Sequence, residues 1–113
     1  MDSCIFCKIA SGAIPSAKVY EDDAVFAFRD IHPAAPTHIL VVPKQHVDNV
    51  LQASAVPGLL DRVMQAAAAI AKQEGLEAKG FRLVVNTGSD GGQSVEHLHV
   101  HILGGRELGW PPG

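Results

Sequence analysis

The densest run of reactive side chains is His97-Leu98-His99-Val100-His101-Ile102-Leu103, which places three of the chain's six histidines at alternate positions. Imidazole changes charge close to neutral pH and offers a nitrogen lone pair, so it serves as nucleophile, proton donor or metal ligand. Along a β-strand, His97, His99 and His101 would project from one face while Leu98, Val100 and Ile102 pack behind them. Three roles compete for such a face: a polar sheet surface, a metal ladder and a catalytic array. Same-face residues four apart lie about 13 Å apart along an extended strand, so one tetrahedral ion would not take both His97 and His101.

Two further patterns carry chemistry. Asn86-Thr87-Gly88-Ser89-Asp90-Gly91-Gly92-Gln93-Ser94 leads into the histidine run. Its glycines let backbone N–H groups turn inward, and Ser94 adds a hydroxyl beside the imidazoles, so it reads as a phosphate cradle or as a plain flexible turn. The spacing matches neither the dinucleotide-binding glycine fingerprint nor the lysine-containing loop of nucleoside triphosphatases. Near the start, Cys4-Ile5-Phe6-Cys7 pairs two thiols. In a reducing compartment that spacing means a metal knuckle, a redox pair or coincidence, rather than a structural disulfide.

Glycine and proline punctuate the elements that must position these groups. Cys4 to Ile9 predicts one short helical turn, and Lys18 to Glu21 and Val25 to Arg29 predict a hairpin across Asp22-Asp23. Thr37 to Val42 predicts a third strand ended by Pro43, after the rigid connector of His32-Pro33 and Ala35-Pro36. From Leu59 to Ala71, Leu59, Leu60, Val63, Met64, Ala67, Ile70 and Ala71 recur at three and four residues, the signature of an amphipathic helix that Gly75 can terminate. Phe81 to Val85 and Val95 to Leu103 read as the fourth and fifth strands. Strands with one long helix between the third and fourth predict an α+β meander, covered on one side by that helix, with a sheet edge that a second copy would protect.

A chain of 113 residues with 47% hydrophobic composition predicts a single domain over 1–113. Nine basic and twelve acidic residues, without blocks of either sign, argue against general nucleic-acid binding. No apolar run approaches a membrane span, and the first residues lack the pattern of a secretory leader, so a cytoplasmic location is expected.

The alternating histidines with apolar residues between them resemble the motif of the histidine triad (HIT) family, and the chain is similar to its HINT branch of nucleotide-binding phosphoramidases. The similarity runs through Ile5-Phe6, Phe28-Arg29-Asp30-Ile31-His32-Pro33, Ala35-Pro36-Thr37-His38, Asn86, Gly91 to Val95, Gly104-Gly105-Arg106 and Trp110-Pro111-Pro112-Gly113. It implies a five-stranded antiparallel sheet with one long helix and a short N-terminal helix, completed to ten strands in a homodimer. The implied reaction converts a purine nucleoside 5'-phosphoramidate, or an aminoacyl-adenylate-like compound, to the monophosphate and an amine. His99 is the implied nucleophile and His101 the proton or hydrogen-bond donor, as imidazolium; His97 and His38 support them, and no cofactor is needed.

The same resemblance puts Asn86, Gly92, Gln93, Ser94 and Val95 at the phosphate, Asp30 at the ribose, and Ile5, Phe6, Ile9, Phe28, Ile31 and Leu40 around the base. Each of those apolar residues has an ordinary core role open to it as well. The C-terminal Trp110-Pro111-Pro112-Gly113 favours the HINT branch over the rival dinucleoside polyphosphate hydrolases. A nucleotide-responsive binding or scaffold protein is the non-enzymatic alternative. Several bacterial HIT proteins pair cysteines with the histidine of a Pro-Lys-x-His segment and the first triad histidine, which implies a structural zinc on Cys4, Cys7, His46 and His97.

Overall fold

The computed structural model describes residues 3–113. The elements are α1 (Ile5–Ala10), β1 (Lys18–Glu21), β2 (Val25–Arg29), β3 (Thr37–Pro43), α2 (Val50–Ala53), α3 (Leu59–Gln73), β4 (Phe81–Val84) and β5 (Val100–Gly104). Asp22 builds the first hairpin: its Oδ1 accepts the N–H groups of Ala24 and Val25, both at 2.8 Å, an Asx turn that reverses the chain between β1 and β2.

All strand pairs are antiparallel, in the order β1-β2-β3-β5-β4. The expected α+β class and five strands are present, but the sheet is not a simple meander, because β5 inserts between β3 and β4. The histidine-bearing strand is therefore central, held by β3 on one side and β4 on the other. Among the described residues no helix is long and apolar enough to cross a membrane.

The two faces of the sheet have different cores. Ile39 and Val41 of β3 and Val100 and Ile102 of β5 meet Val63, Ala67, Ile70 and Ala71 of α3. That helix forms because its alanine-rich face repeats every three to four residues, and each large side chain buried there contributes roughly 1.5–3 kcal/mol. The opposite face carries Phe26, Phe28, Leu40 and Val42, against which α1 lays Phe6 and Ile9. At six residues α1 is too short to hold its shape alone, so these contacts and those of its cysteines keep it in place.

The histidine run is only partly a strand. The ladder starts at Val100, and His97 to His99 lie before it. Leu98 donates its N–H to the Val47 carbonyl at 2.8 Å and buries its side chain among Val47, Ala53 and Leu59, a third small cluster. The strand expected from Val95 to Leu103 is thus shortened to Val100–Gly104, yet the alternation holds: Leu98 packs beside Leu59 of α3, on the side of Val100 and Ile102, while the rings of His97 and His99 both meet Phe6 on the α1 side. α2, capped by Asn49 Oδ1 on the N–H groups of Leu51 and Gln52, is an element the periodicity did not predict.

Candidate active site

On the α1 side of the sheet, a cavity of about 530 Å³ is lined by Phe6, Ile9, Phe28 and Leu40, with Ile5 and Ile31 also on its wall. Asp30, Ser94, Val95, His99 and His101 complete its polar part. All six residues expected around a base therefore border one space. Ile14, Pro15, Ser16, Ala17 and Arg29 line it too and were not anticipated. The Ile14-Pro15 pair, apolar residues in the connector between α1 and β1, was the one sequence signal available for that wall.

His99 is buried, with 4% of its surface exposed, and its Nδ1–H donates to the His97 carbonyl oxygen at 2.8 Å. A carbonyl only accepts, so the proton sits on Nδ1 and Nε2 keeps its lone pair. Burial lowers the pKa of His99, partly offset by that backbone hydrogen bond, so the ring is neutral at pH 7. Phe6 sets its edge against the ring at 5.0 Å between centroids. The result is an oriented, unprotonated nitrogen on a ring that lines the cavity.

Behind it runs a relay. The Ala34 N–H donates to His38 Nδ1 at 3.0 Å, which leaves the His38 proton on Nε2, and Nε2 donates to His101 Nδ1 at 2.9 Å. His101 Nδ1 is thereby an acceptor, so its own proton lies on Nε2. The geometry follows from register: Leu40 pairs with His101 and His38 with Leu103, which sets the two rings diagonally on one face. Burial, then the neighbouring His99 and His38, pushes His101 down to about 4. The resting donor is a neutral imidazole N–H rather than the imidazolium expected from the sequence. Asp30 Oδ2 stands 3.5 Å from His38 Nε2, and its Oδ1 accepts the His32 N–H.

The glycine loop divides its labour. Gln93 braces it: Oε1 accepts the Gly88 N–H, and Nε2 donates to the carbonyls of Asp48 at 2.6 Å and Val95 at 3.0 Å. Asn86 donates to the Gly91 carbonyl at 2.7 Å. The N–H groups of Gly92 and Gln93 close turns onto Ser89 and Gly88. Neither Asn86, Gly92 nor Gln93 lines the cavity; they hold its rim. A Cβ at Gly91 would run into the Thr87 carbonyl, and Gly92 adopts φ 77°, so both positions require glycine. The N–H groups of Ser94 and Val95 have no acceptor among the described residues, and these two residues do border the cavity.

His97 belongs to a separate cluster. The ligand atoms of Cys4, Cys7, His46 and His97 all lie within 4.8 Å of one another. His97 Nδ1 is 3.3 Å from Cys4 Sγ and 3.5 Å from Cys7 Sγ, and His46 Nδ1 is 3.4 Å from Cys7 Sγ. Sulfur and nitrogen bound tetrahedrally to zinc would stand about 3.5 Å apart. The far nitrogens are already engaged: His97 Nε2 donates to the Pro43 carbonyl at 2.8 Å, and His46 Nε2 meets Asp48 Oδ1 at 3.0 Å. Both Nδ1 lone pairs consequently point inward, the outer-sphere pattern of metal-bound imidazole. The four residues fit a tetrahedral ion, which would act as a structural cross-link, because four protein ligands leave no open position.

Fold and site together define a small α+β domain that presents an oriented, neutral imidazole beside an apolar cavity and a glycine-braced loop. The chain belongs to the HIT domain family, whose model matches residues 11–108. It is 51% identical to the adenylylsulfatase HINT1 of Arabidopsis thaliana, across 96% of this chain and 76% of that protein. It is 48% identical to a 14 kDa zinc-binding protein of Brassica juncea, across 96% of this chain and 98% of that one. The crystal structure of a HIT family hydrolase from Legionella pneumophila superposes with a TM-score of 0.95 at 48% identity, covering 98% of this chain and 100% of that one.

Proposed function

We propose that this chain hydrolyses purine nucleoside 5'-phosphoramidates, or aminoacyl-adenylate-like compounds, through a nucleotidyl intermediate on His99. The observation that carries this reading is the His99–His97 hydrogen bond, which leaves Nε2 with its lone pair at the wall of a nucleoside-sized cavity. The lone pair attacks the α-phosphorus and the phosphorus–nitrogen bond to the leaving group breaks, with the departing amine taking up a proton. Water then attacks the same phosphorus, the bond to His99 breaks, and the nucleoside monophosphate leaves.

The remaining residues have matching roles. His101 Nε2–H, oriented by His38, donates to the phosphate or the leaving atom. The free N–H groups of Ser94 and Val95 and the Ser94 hydroxyl take nonbridging oxygens as charge builds. Phe6, Phe28, Ile31 and Leu40 enclose the base, and Asp30 takes ribose hydroxyls. A structural zinc on Cys4, Cys7, His46 and His97 ties α1 to the sheet. The free edge of β4, with Phe81 and nearby Val85 exposed, pairs with the same edge of a second copy.

Intact-protein mass analysis during turnover of adenosine 5'-phosphoramidate, followed by peptide mapping, tests reaction class and nucleophile together. The expected result is a transient adenylyl adduct on His99. Parallel assays with a dinucleoside polyphosphate and with adenylyl sulfate, the chemistry named in the Arabidopsis relative, rank the leaving groups. Nucleotide binding without turnover of any of them would replace this reading with a scaffold role.

A further inference from the structure

His97 occupies two structures at once. Its side chain closes the Cys4–Cys7–His46 cluster through Nδ1, and its main-chain carbonyl holds the Nδ1–H of His99. The residue is fully buried and its ring is fixed at the far side by the Pro43 carbonyl, so ring and carbonyl move as one body. A second link runs through α1. Cys7 contributes a sulfur to the cluster, and Phe6, its neighbour in sequence, packs edge-on against both His97, at 6.0 Å, and His99, at 5.0 Å.

We propose that the Cys4–Cys7–His46–His97 cluster is a positioning device for the nucleophile: an ion held there fixes His97 and Phe6, and these hold His99 in its Nδ1–H tautomer. This rests on His99 as the attacking group. Without the four-way tie, two sulfurs face the imidazole nitrogens with only weak S–H hydrogen bonds between them, and a six-residue helix has little of its own to keep Phe6 in place. His99 is then free to exchange its Nδ1–H tautomer for the Nε2–H form, whose Nε2 cannot attack. His97 is accordingly a positioning residue, and occupancy of the cluster controls the rate of the adduct-forming step.

The test follows His99 itself rather than turnover alone. Ring nitrogen NMR reports the His99 tautomer while cobalt(II) is titrated into the metal-stripped chain and its tetrahedral absorption bands report filling of the cluster. The expected outcome is one shared midpoint, with the Nδ1–H form growing as the bands appear, and with Asp48→Asn moving both midpoints together by about 10–100-fold. A His99 signal that stays constant while the cobalt bands saturate overturns the proposal. Should the stripped chain lose its fold, zinc-loaded and cadmium-loaded protein are compared instead. The longer bonds to cadmium displace His97, so His99 ring signals and the rate of adduct formation must differ, and identical values for both ions overturn the coupling. An adduct mapped to a residue other than His99 defeats the hydrolase mechanism while leaving the ring response to the metal readable.

Discussion

The Nδ1–H of His99 lies 2.8 Å from the carbonyl oxygen of His97, two residues back along the chain. The carbonyl fixes the tautomer without adding charge, and burial keeps the ring unprotonated. Replacing His99 with alanine removes the nitrogen proposed to attack and leaves the apolar walls of the cavity in place. Turnover is expected to fall by about a thousandfold or more, with nucleoside monophosphate affinity changed only a few-fold. Single-turnover kinetics and calorimetric binding check the two halves, and unchanged turnover would reject this residue as the nucleophile.

His101 supplies a pH signature. Its pKa drops from the usual 6.5 to about 4 in the folded chain, chiefly through burial. Between those values the unfolded chain binds the proton and the folded chain does not, so this residue's contribution raises stability as pH rises from about 4 to about 6.5. Above that window it is constant. Denaturant unfolding at several pH values is expected to show a shallower pH slope for His101→Asn than for the parent, by up to one proton, and equal slopes would count against a buried neutral ring.

How far this could be read in advance depended on whether the information was local. The 3.6-residue pattern of Leu59 to Ala71 and the Gly/Pro punctuation predicted α3 and the β1–β2 hairpin within a few residues, because local side-chain spacing decides them. Strict alternation also placed His97, His99 and His101 on the α1 side of the sheet, although the ladder itself begins only at Val100. Before it Leu98 bonds to Val47 and the His97 ring meets Cys4 and Cys7, tertiary contacts that no two-residue period encodes. The insertion of β5 between β3 and β4 was equally out of reach, since strand order is set by α3 crossing the sheet. The division of the glycine loop into braces and free N–H donors depends on Gln93 reaching Asp48, 45 residues away. α2 did have a local signal, Asn49 before Val50-Leu51, that its short length concealed.

That division of the loop predicts different losses for neighbouring residues. Ser94→Ala removes one hydroxyl at the cavity and is expected to lower kcat by about 10–100-fold with little effect on stability, as for one donor among several at a developing charge. Gln93→Ala removes the side chain that makes three hydrogen bonds, so its loss is expected in loop order and KM as well as kcat. Gly91→Ala drives a methyl group into the Thr87 carbonyl and is expected to resemble Gln93→Ala, while Gly109→Ala, in open space, is neutral. Hydrogen exchange across residues 86–95 alongside steady-state kinetics separates the classes.

The cluster of Cys4, Cys7, His46 and His97 makes a stability prediction that is independent of catalysis. Purified without chelator, the protein is expected to carry about one zinc per chain, and ligand-coupled stabilisation grows with the ratio of free metal to its dissociation constant. Cys4→Ser and Cys7→Ser each remove a soft ligand and are expected to lower the melting temperature by several degrees or more, whereas chelation adds no further loss to the double variant. Metal analysis that finds no zinc after anaerobic purification removes the site.

The edge of β4 carries the last prediction. β4 pairs with β5 on one side and has no strand on the other among the described residues, and Phe81 exposes 41% and Val85 38% of their surface there. An open edge with apolar flanks is a template for another strand, and two copies meeting through the same antiparallel edge satisfy both sets of backbone groups around a two-fold axis. Sedimentation is expected to find a two-chain species. Phe81→Lys combined with Val85→Lys sets like charges against each other across that axis and is expected to shift the equilibrium toward single chains, while Leu83, which packs on the α3-side core, is left unchanged. Trp110, 84% exposed, offers an independent monitor, since its fluorescence is expected to change with concentration if the C-terminal segment meets the second copy. A parent protein that sediments as a single chain at all concentrations would show that the β4 edge remains open in solution.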